Sequence, residues 1–115
     1  MSWEVKERQS GSVTILELKG RLILGAGTEA LFETLKSLIA AGRSALLLDC
    51  SHVEAIDSQG IQTVLRGQRL AQEAGGKLVL LKVSPRMREA LTVTRLLPII
   101  EHYEDEKEAL ARFTA

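Results

Sequence analysis

Residues 45–64 read ALLLDCSHVEAIDSQGIQTV. Ser44 to Cys50 carries consecutive apolar residues. A half-exposed strand alternates, whereas a strand covered on both faces does not, so this run predicts a central parallel strand. From Ser58 to Ala74 the pattern changes to helical spacing, with Ile61, Val64, Leu65 and Ala71 on one face. Gln62, Arg66, Arg69 and Glu73 face water on the other. VEAIDSQG connects the two. Asp and Ser are favoured N-caps, worth about 1 kcal/mol. Asp57-Ser58-Gln59-Gly60 therefore starts the helix, and it also leaves a hydroxyl at a helix end.

The rest of the chain extends this strand–helix alternation. Trp3 to Arg8 alternates as a half-exposed strand, Gln9 to Ser12 is a turn, and Val13 to Lys19 is a second strand. A short turn between strands makes an antiparallel hairpin. Gly20 to Gly27 is a connection, with Thr28 as N-cap of a first helix carrying Leu31, Leu35, Leu38 and Ile39. Gly42 ends that helix at the C′ position. Gly75 and Gly76 end the Ser58 helix, and Lys77 to Lys82 is another buried strand. Ser84-Pro85 starts a third helix, with Met87, Ala90 and Leu91 inward. Pro98 stops it, Ile99 to Tyr103 is a strand, and Asp105 and Glu108 have capping-box spacing for a last helix with Leu110 and Phe113. The order is ββαβαβαβα. It predicts one α/β domain over residues 1–115, with a mixed, mostly parallel sheet of four or five strands begun by a hairpin.

Composition narrows the function. The 115 residues are 45% apolar but only 3% aromatic, so the core is aliphatic. Fifteen basic residues balance fifteen acidic ones. With neither an aromatic platform nor a basic excess, direct nucleic-acid binding is not expected. The single cysteine, Cys50, forms no internal disulfide and suits a reducing compartment. The charged start MSWEVKERQSGS does not read as a signal peptide, and no apolar run approaches the ~20 residues that span a bilayer. A cytoplasmic protein without membrane insertion is expected.

Catalytic and metal motifs are sparse. His52 and His102 are the only imidazoles, and no CxxC or HExxH occurs, so no metal site is expected. Ser58 is not in a GxSxG elbow. Cys50 and His52 are two apart, and residues two apart share a strand face, so contact between them is open; no third orienting group is evident. No phosphate-binding P-loop is present, and Gly25-Ala26-Gly27 reads as a turn. Asp49, ending LLLD, and Lys82 suit a phosphoacceptor receiver domain, but the acidic pair that would hold its metal is missing. Asp49 reads as a polar strand end. No enzyme and no cofactor are predicted.

The ordered pieces LLLD, Asp57-Ser58-Gln59-Gly60, the Gly75-Gly76 stop, KLVLLK and Ser84-Pro85 resemble the anti-sigma factor antagonist family, the STAS fold. Leu18-Lys19-Gly20-Arg21-Leu22 is similar to that family's earlier Gly-x-Leu stretch, and the resemblance covers essentially the whole chain. It implies that Ser58 is a phosphoacceptor for a partner that is both serine kinase and anti-sigma factor. The unphosphorylated form would bind that partner and free a sigma factor; phosphorylation would end binding, and a phosphatase would restore it. Asp57, Gln59, Gly60, Gln62, Thr63 and Arg66 would form the partner surface, with Thr63 at its exposed rim and Gly60 admitting the kinase to the backbone. Arg66 and Arg69 would pair with partner acids or form an ordinary solvated face. Gln59 stands where the family has Ser or Thr, and Ile23 where many members have Asp. The alternative is a non-switching STAS scaffold or ligand-binding subunit of a lipid-transport or sensory complex.

Overall fold

The computed structural model describes residues 3–113. The outermost residues of the expected domain, 1–2 and 114–115, lie outside the described residues. The elements are β1 (Glu4–Ser10), β2 (Val13–Leu22), α1 (Ala26–Ala40), β3 (Ala45–Ile56), α2 (Ser58–Glu73), β4 (Lys77–Leu81), α3 (Pro85–Val93), β5 (His102–Tyr103) and α4 (Glu106–Ala111), with a 3₁₀ turn at Leu97–Ile99. They follow the predicted order ββαβαβαβα. The sheet has five strands in the order β1-β2-β3-β4-β5. β1 and β2 pair antiparallel through the Gly11-Ser12 turn, and every other pair is parallel.

Both sheet faces are covered, which explains the apolar runs. Leu46 and Leu48 point into the larger core beneath α1, α2 and α3, together with Leu16, Leu35, Val64, Leu78, Leu80 and Met87. Leu47 points the other way, into a smaller core with Ile15, Val79, Leu81 and Ala109 under α4. All of Leu46, Leu47 and Leu48 are fully buried. Trp3 lies just outside β1 and packs with Val5 against the larger core.

Local chemistry sets most helix ends. Ser84 Oγ accepts the Met87 N–H at 3.3 Å, with Pro85 at the first helical position. Asp105 accepts the Glu108 N–H at 3.0 Å, as the capping spacing predicts. Gly42 and Gly75 take φ of +83° and +85° just past α1 and α2, where a left-handed residue lets the chain turn back.

Three boundaries differ from expectation. Thr28 is not the cap of α1: the helix begins at Ala26 after Gly25, and the Thr28 hydroxyl donates to Gly25 O at 3.0 Å. β2 runs on to Leu22 through the expected connection. The last strand shrinks to His102–Tyr103, because Pro98 sits in the 3₁₀ turn and Ile99 faces solvent at 67% exposure.

Candidate functional site

β3 does not stop at Cys50. Only Ala45 to Asp49 pair with β4, while β3 continues beside β2 to Ile56. Register shifts fall between Glu17 and Lys19 and between Gly20 and Arg21 on the β2 side. Each inserts an extra β3 residue, so the inward positions run Leu48, Cys50, Val53, Ile56 rather than every second residue. VEAI, expected as loop, is therefore bulged strand. Asp49 is not a strand end: its Oδ1 accepts the Ser51 N–H at 3.0 Å and the Ser51 hydroxyl at 2.8 Å at the first bulge.

The same bulge separates Cys50 from His52. Cys50 is fully buried and its thiol donates to Leu48 O at 3.5 Å, whereas His52 is exposed beside Ser51. Burial, helped by the Asp49 charge, pushes the thiol far above its usual range, so it stays protonated. The pair left open by the sequence is not a nucleophile and base. Among the described residues, no three His, Cys, Asp or Glu side chains gather as a metal site.

Asp57 caps α2. Its Oδ1 accepts the Gly60 N–H at 2.9 Å, and its Oδ2 accepts the Leu24 N–H at 2.9 Å. One carboxylate thus holds the start of α2 and the β2–α1 connection together. Burial pushes its pKa up, but the amides of Leu24, Gly60 and Gln59 outweigh that and hold the carboxyl below its usual range. The Asp57 N–H reaches back to Leu22 O at 3.4 Å.

Ser58 is the first residue of α2, and it is exposed. It lines an open groove of about 390 Å³ with Ala55, Ile56, Ile61 and the α3 residues Arg86 and Val93. Gln59 and Gln62 are exposed beside it.

Two predicted contact residues turn inward instead. Thr63 is 7% exposed and its hydroxyl donates to Gln59 O at 2.8 Å, so it is not on an exposed rim. Gly60 faces the sheet: a Cβ there would lie 2.1 Å from Leu22 O and 2.7 Å from Ile56 Cγ1. Its lack of a side chain serves the approach of α2 to β2 rather than access from outside. Arg66 stacks its guanidinium 4.1 Å from the centre of the Phe32 ring of α1. Arg69 is exposed and enters no ion pair among the described residues.

Sequence reasoning missed Leu24 and Val93, which are 72% and 76% exposed. Leu24 is held next to Asp57 through its N–H, and Val93 lines the Ser58 groove. Val93 carried a signal, since it is an apolar residue off the Met87, Ala90, Leu91 stripe of α3. Leu24, in a segment read as connection, carried none.

Residues 5–101 match the family described as "Mlab, STAS domain". The chain is 26% identical over 92 residues to BtrV of Bordetella bronchiseptica, assigned as an anti-sigma factor antagonist, covering 80% of this chain and 79% of that protein. An anti-sigma factor antagonist from Mycobacterium paratuberculosis superposes with a TM-score of 0.82 at 20% identity, covering 99% of this chain and 96% of that one. The Bacillus cell fate determinant SpoIIAA in its phosphorylated form gives 0.71 at 22% identity, covering 96% and 98%. The last two likenesses establish shared fold. With the family match running from β1 to the residue before β5, the chain belongs to the STAS domain family.

Proposed function

We propose that this chain is an anti-sigma factor antagonist in a partner-switching pathway, with Ser58 as the phosphoacceptor. The observation that carries the reading is the placement of Ser58: exposed, at the first position of a sixteen-residue helix, beside an open groove. A hydroxyl sealed in the interior would have ended it.

The unphosphorylated protein binds an anti-sigma factor that is also a serine kinase, through Ser58, Gln59, Gln62 and the flanking Leu24 and Val93. ATP and Mg²⁺ belong to that kinase, and this chain catalyses nothing itself. It acts in the cytoplasm, and a phosphatase resets it. Among the described residues no helix is long and apolar enough to cross a membrane.

Phosphorylation adds about −1.5 to −2 charge beside the Asp57 carboxylate. At about 4 Å and an effective dielectric of about 20, each like-charge pair with the partner costs about 4 kcal/mol. That is about a thousandfold in affinity. The positive end of α2 accommodates the charge, so the partner leaves while the fold stays.

Incubation with the cognate kinase and ATP, followed by intact-mass measurement, tests this. One added phosphoryl group is expected, absent in Ser58→Ala, with Ser58→Asp releasing the partner and Ser58→Ala retaining it. No added mass, with binding indifferent to Ser58→Asp, refutes it. That outcome favours a second reading, a non-switching STAS subunit of a lipid-transport or sensory complex. Gln59, which lacks the hydroxyl usual at that position, is the observation on its side.

A further inference from the structure

A second groove, of about 500 Å³, opens on the far side of Arg86 from Ser58, in the size range of small-ligand sites. It forms because β3 outruns β4: beyond the Asp49–Leu81 pair, residues 50–56 have no β4 partner. The chain leaving β4 bends across this free edge instead. Ser84, only 6% exposed, pins it there by donating to Val53 O at 2.7 Å while accepting the Met87 N–H. The wall carrying Arg86 is thereby fixed to the wall carrying His52.

Three of the four ionisable groups lining this groove are basic. Lys19 and His52 are register partners on β2 and β3, and Arg86 faces them from the first turn of α3. Glu54 is the one acid among the lining residues. Neither Lys19 nor Arg86 enters an ion pair among the described residues, and Glu4 is the register neighbour of Lys19 on β1. Two cations and an imidazole thus line the groove against the single Glu54 carboxylate.

His52 is also oriented. The Ser51 hydroxyl has one proton and gives it to Asp49, so the imidazole Nδ1–H donates to Ser51 Oγ at 3.1 Å. The Asp49–Ser51–His52 chain fixes the ring and leaves Nε2 as its remaining polar atom. A phosphate group can pair with that atom, because it offers both P–OH donors and anionic acceptors near neutral pH. Val53 and Pro85 supply apolar lining for an organic body.

We propose that this groove binds a phosphate group, with Lys19 and Arg86 on its anionic oxygens and His52 on the third. This groove shares Arg86 with the Ser58 groove but takes its other residues from β2, β3 and Ser84-Pro85, and the proposal does not require Ser58 to be phosphorylated.

The test is a titration of ¹⁵N-labelled full-length protein with inorganic phosphate and, separately, with glycerol phosphate. Chloride holds ionic strength constant. Saturable shifts are expected at the amides of Ser51, His52 and Arg86, with a millimolar dissociation constant. Tighter binding of glycerol phosphate assigns the site to phosphomonoesters; equal binding assigns it to free phosphate. A Lys19→Gln/Arg86→Gln variant should lose at least tenfold in affinity with the rest of its spectrum unchanged. If that variant does not fold, the two single substitutions carry the test, each expected to weaken binding severalfold. Shifts no larger than those from chloride, shifts centred on Ser58, or undiminished binding in the variants would overturn the proposal.

Discussion

Gly60→Ala is the sharpest test of how the Ser58 site is built. By helix propensity alone the substitution stabilises, since Ala is favoured over Gly by about 1 kcal/mol inside a helix. The structure reverses the sign. The new methyl would sit 2.1 Å from Leu22 O and 2.7 Å from Ile56 Cγ1, and real Cβ atoms essentially never come within 3.0 Å of a neighbour. The carbonyl belongs to the end of β2 and cannot rotate away as a side chain can. It also receives the Asp57 N–H at 3.4 Å. Relief requires the start of α2 to lift by about 1 Å, and overpacking of this kind costs about 1–3 kcal/mol or more. Taking about 3 kcal/mol for a clash with backbone and subtracting the propensity gain leaves a net loss of about 2 kcal/mol. With a urea m-value of about 1–3 kcal/mol/M, the unfolding midpoint should fall by about 1–2 M. Gly67→Ala is the internal control. Its methyl would meet Leu35 Cδ1 at 2.6 Å and Leu78 Cδ1 at 3.3 Å, both ends of side chains that can shift, so its loss should be smaller. A Gly60→Ala protein as stable as wild type, with an unchanged amide spectrum, would refute the close approach of α2 to β2.

Asp57→Ala removes the α2 cap and the Leu24 bond together, about 1 kcal/mol each, so denaturation should report a loss of about 2 kcal/mol; Asp57→Asn, which keeps one acceptor, should lose less. The Asp57 carboxyl is held below its unfolded value, so its contribution is full above that value, at neutral pH, and is lost as pH falls through the folded pKa. Wild type and Asp57→Asn should therefore converge in stability in acid, and parallel curves across that range would contradict this. Cys50 should be silent to thiol reagents in the native protein and react only at the global unfolding rate; rapid labelling of folded protein would contradict its burial. Ser84→Ala should cost about 1–3 kcal/mol, because it strands the Val53 carbonyl and removes the α3 cap, and a neutral result in urea melts would detach α3 from the β3 edge.

The parts of the fold that were legible in the sequence are those whose cause is local. ALLL and KLVLL read as covered strands because helices lie on both faces and each residue has an apolar neighbour whichever way it points. Asp57, Ser84 and Asp105 read as caps because a side-chain acceptor three residues before an amide closes a ring without help from elsewhere. What was lost depends on partners far along the chain. The second half of β3 has no constant period, since the two register shifts against β2 move the inward face from Cys50 to Val53 to Ile56. Thr28 has ideal cap chemistry, yet the cap of α1 falls three residues earlier, at Gly25, with Gly27 placed where a Cβ would meet Arg21 O at 2.7 Å.

Thr63 fails for a reason that bears on function. α2 packs against both the sheet and α1, so its buried arc is wider than a single stripe, and Gly60, Thr63 and Gly67 fill it with small residues that apolar periodicity does not mark. A wide buried arc leaves a narrow exposed one. With Gly60 and Thr63 inward, the exposed surface at the start of α2 is reduced to Ser58, Gln59 and Gln62, flanked by Leu24 across the Asp57 clamp and Val93 across the groove. A protein seated on that surface would have few polar groups over which to spread its contacts, and Ser58 shares its groove with the apolar Val93. In the proposed complex a dianion there would face the contact, where water is scarce and like charges are weakly screened. The crowding that hid Thr63 from sequence reasoning is therefore the same feature that would let one modified hydroxyl decide whether a partner stays bound.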